Sequence, residues 1–138
     1  MEIVSSTPSK KCIFRNYFDW RETFPELSIL LENFDDIAAE CKEVQGWTPW
    51  PERNHYGVGK EWDVFPFVHT FPAWDESNTM WIEPTCKSCP KTKAILSRIP
   101  KLRTALFSRL GPGTTLAHHT GWADLANHVL RCHLPLSV

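Results

Sequence analysis

The sequence has no excess of positive charge: 15 Lys and Arg residues stand against 16 Asp and Glu residues, giving a formal net charge of -1. Proteins that bind nucleic acids neutralise phosphates with a basic surface, so we expect no nucleic-acid partner. Long apolar runs are absent as well, and no signal-peptide pattern follows Met1 and Glu2. We therefore expect a cytoplasmic protein without a membrane span, folded as one domain over residues 1–138.

Paired cysteines are scarce. The chain has five cysteines, an odd number, which is typical of reduced thiols rather than of a disulfide framework. One Cys86-Lys-Ser-Cys89 motif is present, but structural zinc usually takes four ligands from two such pairs, so a loop-to-helix junction is favoured. Nucleophile-elbow, phosphate-loop and dinucleotide motifs are missing, as are carboxylate pairs at glycosidase spacing. These absences leave no residue that we assign as a catalytic acid, base or nucleophile.

The chain begins with a helical pattern and ends with strand patterns. Apolar residues recur every three or four positions from Phe24 to about Glu43, with acidic residues between them, which predicts a helix. Residues 90–98 predict a second, short helix that ends before Pro100. Strand patterns then occupy three segments near the C-terminus, namely residues 104–110, 115–119 and 129–136. A chain in which helices come first and strands come last has the order that is typical of an α+β fold.

Less regular stretches lie between these patterns. We expect residues 1–22 to be a lead-in, and residues 46–60 and 72–86 to be loops rich in Gly, Pro or aromatic residues. Residues 61–71 alternate loosely as a strand, and Pro66 within them indicates an edge strand. The aromatic residues of the loops either line a substrate cleft or cover the core, and the sequence leaves both interpretations open.

Two histidine-bearing segments carry the candidate site. His118 and His119 are adjacent, so on a strand they would point to opposite faces and only one would reach a given pocket. Arg131 and His133 lie two positions apart and would share one face of a strand. Arginine pairs well with carboxylates and imidazole binds metals, so these residues suit an acidic ligand and a metal ion. The alternatives are a histidine bonded to the backbone and a structural salt bridge of Arg131, for example with Asp124.

With these residues in place, the chain resembles the aspartyl/asparaginyl β-hydroxylase family of Fe(II)- and 2-oxoglutarate-dependent oxygenases. Three segments carry the resemblance: Phe107-Ser-Arg-Leu-Gly-Pro-Gly-Thr114, His119-Thr-Gly121 and Arg131-Cys-His-Leu134. Weaker matches in the family's order are Phe24-Pro-Glu-Leu27, Trp62 and Cys89-Pro-Lys-Thr92. The resemblance implies N-terminal helices followed by a double-stranded β-helix barrel of the jelly-roll or cupin-like type.

The resemblance also implies roles for individual residues. His119 matches the family's first iron-ligating histidine. Ser108 and Arg131 match the positions that hold the carboxylates of 2-oxoglutarate, and His133 matches a histidine that lines the same cosubstrate pocket. His118 has no assigned role and is expected to face away. The general facial triad uses two histidines and a carboxylate, whereas this family leaves the carboxylate position vacant. Fe(II) and 2-oxoglutarate are the implied cofactors.

The sequence ends at Val138, before the strands on which the family carries its second iron histidine and a further basic residue. We therefore expect a C-terminally truncated member, with an incomplete barrel and an open edge through which chains self-associate. The implied function is hydroxylation of an aspartyl or asparaginyl side chain, or of a related protein or small-molecule substrate. The first alternative is an inactive remnant or interaction module, and the second is a small zinc domain using Cys86, Cys89 and two histidines.

Overall fold

The helix predicted from residue 24 onward is present, but it is divided. A computed structural model describes residues 1–5, 17–122 and 128–137. The first helical elements follow one another closely: α1 Trp20–Thr23, a 3-10 turn Pro25–Leu27, α2 Ser28–Glu32 and α3 Phe34–Glu43. Asn33 separates α2 from α3, because its backbone is not helical (φ -117°, ψ 24°) and its side-chain amide donates to the Ile29 carbonyl at 2.7 Å. A side-chain bond of this kind competes with a continuous helix.

A second helical pair precedes the last long strand and confirms the short helix predicted there. Its members are α4 Glu83–Ser88 and α5 Pro90–Leu96. Pro90 separates them, because proline disfavours helical backbone in the residue before it, and Cys89 is accordingly non-helical. The Glu40 carboxylate of α3 accepts the backbone N–H groups of Lys91 and Thr92 at 2.9 and 2.7 Å, so α3 caps the start of α5. No helix among the described residues combines the length and the apolarity needed to cross a bilayer.

The strands form one antiparallel sheet whose spatial order differs from the chain order. Six strands take part: β1 Glu2–Ser5, β2 Thr48–Pro49, β3 Trp62–Thr70, β4 Thr79–Trp81, β5 Leu102–Leu110 and β6 Leu130–His133. The order is β2-β3-β5-β1-β6, and β4 pairs with β3. Within the described residues this sheet is open rather than closed on itself. The arrangement confirms a mixed fold of helices and antiparallel strands.

Three expectations about the strands are wrong. The N-terminal residues are more than a lead-in, because β1 lies inside the sheet and pairs with both β5 and β6. The predicted loop over residues 72–86 contains β4 and the start of α4. β3 is an interior strand, with β5 along one side and β2 and β4 along the other. It tolerates Pro66 because the β3–β5 register shifts between Pro66 and Val68, and such irregularities accommodate a residue without an N–H.

The helices and one face of the sheet share an apolar core. Phe67 and Phe107 are completely buried, and their rings meet edge to face with centroids 4.9 Å apart. Ile37 of α3 and Leu96 of α5 belong to the same cluster and are also 0% exposed. The helices therefore cover the face of the sheet that carries Phe107, and the residues next to it along β5 point to the other face.

Candidate active site

The face of the sheet opposite the helices borders a cavity of about 610 Å³. Pro66 of β3 pairs with Leu106 of β5, and both line this cavity. Thr104 and Arg131 are both in register with Val4 of β1, and they line it as well. Successive strand residues alternate between faces, so three different strands contribute side chains to one wall. Arg131 lies on β6, the last strand in the order of the sheet, and lines the cavity from there.

His119 reaches the same cavity from a segment that is not a strand. The strand predicted over residues 115–119 is wrong, because residues 114–122 are irregular and the Ala117 N–H donates to the His55 carbonyl at 2.7 Å instead of to a strand. His118 is exposed and lies outside the cavity lining, whereas His119 is part of that lining. One histidine of the pair therefore reaches the pocket, as predicted, although by a different backbone path.

The position of the proton on the His119 ring follows from its backbone partner. Nδ1 lies 2.7 Å from the carbonyl oxygen of Ala117. A carbonyl oxygen can only accept, so Nδ1 carries a proton, and in the neutral ring the lone pair is then on Nε2. Histidines that bind metals commonly donate their other ring nitrogen to a backbone carbonyl in this way. His119 is therefore suited to one coordination position of a metal ion.

Aromatic rings flank His119. The ring of His55 stacks on it with centroids 4.7 Å apart and planes 24° apart, and Trp62 lies 6.2 Å away at 47°. Trp62 donates its indole N–H to the Ser108 hydroxyl at 3.0 Å. Ser108 is not itself in the cavity lining, but this bond ties it to the wall. The sequence indicates Trp62 through the family resemblance and as one of the aromatic residues that could line a cleft. It gives no signal for His55, which lies in a predicted loop without periodicity.

The second pair of candidate residues, Arg131 and His133, is only partly at the cavity. Arg131 and His133 both lie on β6 and alternate with Cys132, which packs against the core. Of the two, Arg131 borders the cavity, whereas His133 is exposed and lies beyond its lining. The structure therefore brings His119 and Arg131 to one cavity and places Ser108 beside it.

A carboxylate without any signal in the sequence also lines the cavity. Glu52 Oε2 accepts the Trp50 indole N–H at 3.1 Å, and Oε1 accepts the Trp122 indole N–H at 3.4 Å. Oε1 also lies 3.5 Å from His55 Nε2. Desolvation opposes ionisation, but the bonds from Trp122 and Trp50 and the nearby His55 lower the pKa of Glu52 below its usual value. Trp50 stacks between Trp62 and Trp122 at centroid distances of 4.7 and 6.1 Å, so the anion lies within an aromatic wall.

The residues that the structure describes do not supply a complete set of metal ligands. Among them, no three His, Cys, Asp or Glu side chains converge in a group that could hold a metal ion. This counts against the zinc alternative, as do the contacts of the motif: Cys86 donates its thiol to the Phe67 carbonyl at 3.5 Å, and Cys89 is the residue that directly precedes α5. Cys12 and Asp124 lie outside the described residues. A structural role for the Cys86–Cys89 motif fits these contacts best.

The Cys89 thiol tests this structural role. Burial, with further contributions from Glu40, Cys41 and Cys86, raises the pKa of Cys89 from 9.0 to about 11. We expect Cys89 of the folded protein to resist iodoacetamide at about pH 8, because the thiolate is the reactive form. The unfolded chain loses this proton first, so the free energy of unfolding should fall as the pH rises from about 9 to about 11. Peptide mapping after alkylation measures the reactivity of Cys89, and urea unfolding at several pH values measures the free energy of unfolding. Rapid alkylation of Cys89 in the folded protein would contradict the structural role.

Comparisons with known proteins add a family context to this geometry. The sequence model described as Aspartyl/Asparaginyl beta-hydroxylase matches residues 31–138. A curated relative, the ornithine lipid ester-linked acyl 2-hydroxylase of Rhizobium tropici, is 34% identical over 108 residues. That match covers 78% of this chain and 30% of the relative, so the chain spans less than a third of the relative's length. No solved structure matches the chain significantly.

Proposed function

Because the chain belongs to the aspartyl/asparaginyl β-hydroxylase family, we propose that it acts in an Fe(II)- and 2-oxoglutarate-dependent dioxygenase reaction. Hydroxylation is the activity named for the family and for the Rhizobium tropici relative. The observation that carries the proposal is a single cavity bordered by both His119 and Arg131. The imidazole of His119 suits a metal ion, which it can bind through Nε2. The guanidinium group of Arg131 suits a dicarboxylate cosubstrate, to which it can donate hydrogen bonds.

We assign the carboxylates of 2-oxoglutarate to Arg131, with Ser108 and His133 as further contacts, as the resemblance implies. A guanidinium group offers a carboxylate two parallel N–H groups, and an apolar wall strengthens such a pair by lowering the local dielectric. The Ser108 hydroxyl already accepts the Trp62 N–H at 3.0 Å, so its own proton is available for a carboxylate oxygen. His133 lies beyond the cavity lining. In this proposal it therefore contacts only the part of 2-oxoglutarate that extends past Arg131.

His119 is the residue of this chain that would hold Fe(II), through Nε2. Iron in such oxygenases needs further ligands, and within the described part of the chain no group of three forms. In this proposal the ketoacid group of 2-oxoglutarate and a donor outside the described residues complete the set. When bound, the iron supplies the oxidising chemistry. The residues of the chain bind and orient the cosubstrate, and the rings of Trp50, Trp62 and Trp122 exclude water from the wall.

The finer architecture that we propose is a double-stranded β-helix, of which the observed sheet is one part. In the described residues β6 pairs with β1 on one side, and its other side ends the sheet. Free strand edges readily accept further strands. We therefore propose that another strand adds to β6, and that a second copy of the chain supplies it in a self-associated form.

The proposed substrates are an aspartyl or asparaginyl side chain, from the description of the family, and an acyl chain, from the name of the relative. The cavity lining favours an acyl chain, because Pro66, Phe71, Leu106 and Val129 surround one space. Phe71 is at the same time 65% exposed, so the apolar wall continues from the cavity to the surface. An apolar chain would enter along this wall.

A turnover assay with both substrate classes tests the proposed function. The chain is incubated with Fe(II), 2-oxoglutarate and oxygen, together with either an ornithine lipid that carries an ester-linked acyl chain or a peptide that contains Asp and Asn. We expect a product heavier by one oxygen atom, with one succinate formed for each product. If neither substrate gains oxygen and no succinate forms, the enzymatic proposal is wrong and the interaction-module alternative is favoured.

A further inference from the structure

The carboxylate of Glu52 connects two segments of chain that line the same cavity. Trp50 and Glu52 lie between β2 and the 3-10 turn Arg53–His55, whereas Trp122 is the last residue described in the irregular segment 114–122. Glu52 accepts the indole N–H of both tryptophans, at 3.1 Å from Trp50 and 3.4 Å from Trp122. One side chain therefore joins the segment that carries His119 to the loop that carries Trp50 and Glu52.

The same segment is anchored on the other side of His119. The Ala117 N–H donates to the His55 carbonyl at 2.7 Å, and the His55 ring stacks on the His119 ring. The two anchors, Ala117 and Trp122, therefore bracket His119 in the sequence, and both lead to residues 52–55. Because the described backbone of residues 114–122 is not part of a strand, the position of His119 depends on contacts of this kind.

The two bonds that Glu52 accepts are made to a charged group, at 3.1 and 3.4 Å. Desolvation works against its charge, but the bonds from Trp122 and Trp50 outweigh it, and the carboxyl pKa is lowered. Hydrogen bonds to an ionised acceptor are about twice as strong as those between neutral groups. The Glu52 side chain is 36% exposed, so solvent screens part of this gain.

We propose that Glu52 is a positioning residue, whose carboxylate clamps Trp122 to Trp50 and thereby holds His119 at the cavity wall. The clamp follows from the contacts alone, and its effect on iron rests on the proposed function. Both carboxylate oxygens of Glu52 already accept an indole N–H. Direct binding of a metal ion or of a cationic substrate would compete with these bonds, which favours positioning over ligation.

Hydrogen exchange of the Ala117 amide tests the clamp without any ligand. In Glu52→Ala this amide should exchange about tenfold faster, because charge-assisted bonds that hold the segment are lost, while the Phe65 and Phe107 amides keep their rates. Glu52→Gln should have a smaller effect, because its carbonyl oxygen still accepts one indole N–H. Glu43→Gln makes the same chemical change at the exposed end of α3 and should leave Ala117 unchanged.

Trp122→Phe is a second variant that removes the donated N–H while keeping an aromatic ring. It should also accelerate exchange at Ala117. The proposal is overturned if Ala117 exchanges at the wild-type rate in both Glu52→Ala and Trp122→Phe. It is also overturned if Ala117 accelerates no more than the amides of β3 and β5, because the variants would then act on the whole fold.

Titration with Fe(II) in the presence of 2-oxoglutarate and the absence of oxygen measures the consequence for the metal. The midpoint, followed by the visible metal-to-ketoacid charge-transfer band, should be about tenfold higher in Glu52→Ala, with partial recovery in Glu52→Gln. Equal midpoints would overturn the positioning role and leave the proposed function intact. If the wild-type chain gives no band, the proposed function fails, and the exchange rate of Ala117 alone decides the clamp.

Discussion

Replacing Arg131 with alanine should weaken the binding of 2-oxoglutarate by about tenfold to 100-fold. Arg131 borders the cavity, and its guanidinium group is the cation to which we assign a cosubstrate carboxylate. Arg131 is exposed, and losing a hydrogen bond to a charged group costs about 1.5–3 kcal/mol, of which solvent screens a part. Calorimetric titration of 2-oxoglutarate into the chain with Fe(II), in the absence of oxygen, measures the loss.

Two matched variants make this result specific to Arg131. Arg131→Lys keeps the positive charge but loses the planar, two-pronged donor, so it should recover only part of the affinity. Arg98→Ala removes an exposed arginine just beyond α5 and should leave binding unchanged. Wild-type affinity in Arg131→Ala would contradict the assignment of a cosubstrate carboxylate to this residue. Equal losses in Arg98→Ala would indicate that binding follows net charge instead.

Replacing Phe107 with alanine should lower the free energy of unfolding by about 3–5 kcal/mol. The Phe107 ring is 0% exposed and lies 4.9 Å from the Phe67 ring and 6.4 Å from the Phe65 ring, between centroids. Alanine would leave a cavity between the sheet and the helices that close-packed neighbours fill only in part. Because Ser108 follows on the same strand and points to the opposite face, this core residue also supports the wall of the candidate site.

Urea unfolding of the Phe107→Ala variant measures this loss. Phe71→Ala is the matched control, because Phe71 is 65% exposed and its truncation should change stability by no more than about 0.5 kcal/mol. A loss below about 1 kcal/mol for Phe107→Ala, or equal losses for the two variants, would contradict the placement of Phe107 at the centre of the core.

Local patterns predict α2, α3, α5 and the long strands of this fold, but neither α1 and α4 nor the sheet order. Apolar spacing predicts α2 and α3, and alternation predicts β3 and β5, because both signals depend on residues close in sequence. β1 has only four residues, too few for a clear period, and its partners β5 and β6 lie at the other end of the chain. Residues 115–119 have the composition of a strand, yet the bond from Ala117 to His55 determines their backbone.

The candidate site is predictable where it depends on residue type and on family resemblance. His119 and Arg131 are chosen for their chemistry and do border one cavity. Glu52 and His55 have no signal of their own, because they lie in a Gly- and Pro-rich loop without periodicity. Their importance comes from contacts with distant residues, such as the bond between Glu52 and Trp122, which are 70 positions apart. Contacts of this kind become visible only once the chain is folded.

The central claim is that His119 and 2-oxoglutarate together hold Fe(II) in this cavity. Anaerobic addition of Fe(II) and 2-oxoglutarate to the 138-residue chain, followed by the visible metal-to-ketoacid charge-transfer band, tests it most directly. His118→Ala is the matched control, because this neighbouring histidine is exposed and lies outside the cavity lining. We predict a band in the wild-type chain and in His118→Ala, and its loss in His119→Ala. The absence of a band in the wild-type chain, or an undiminished band in His119→Ala, would contradict the claim.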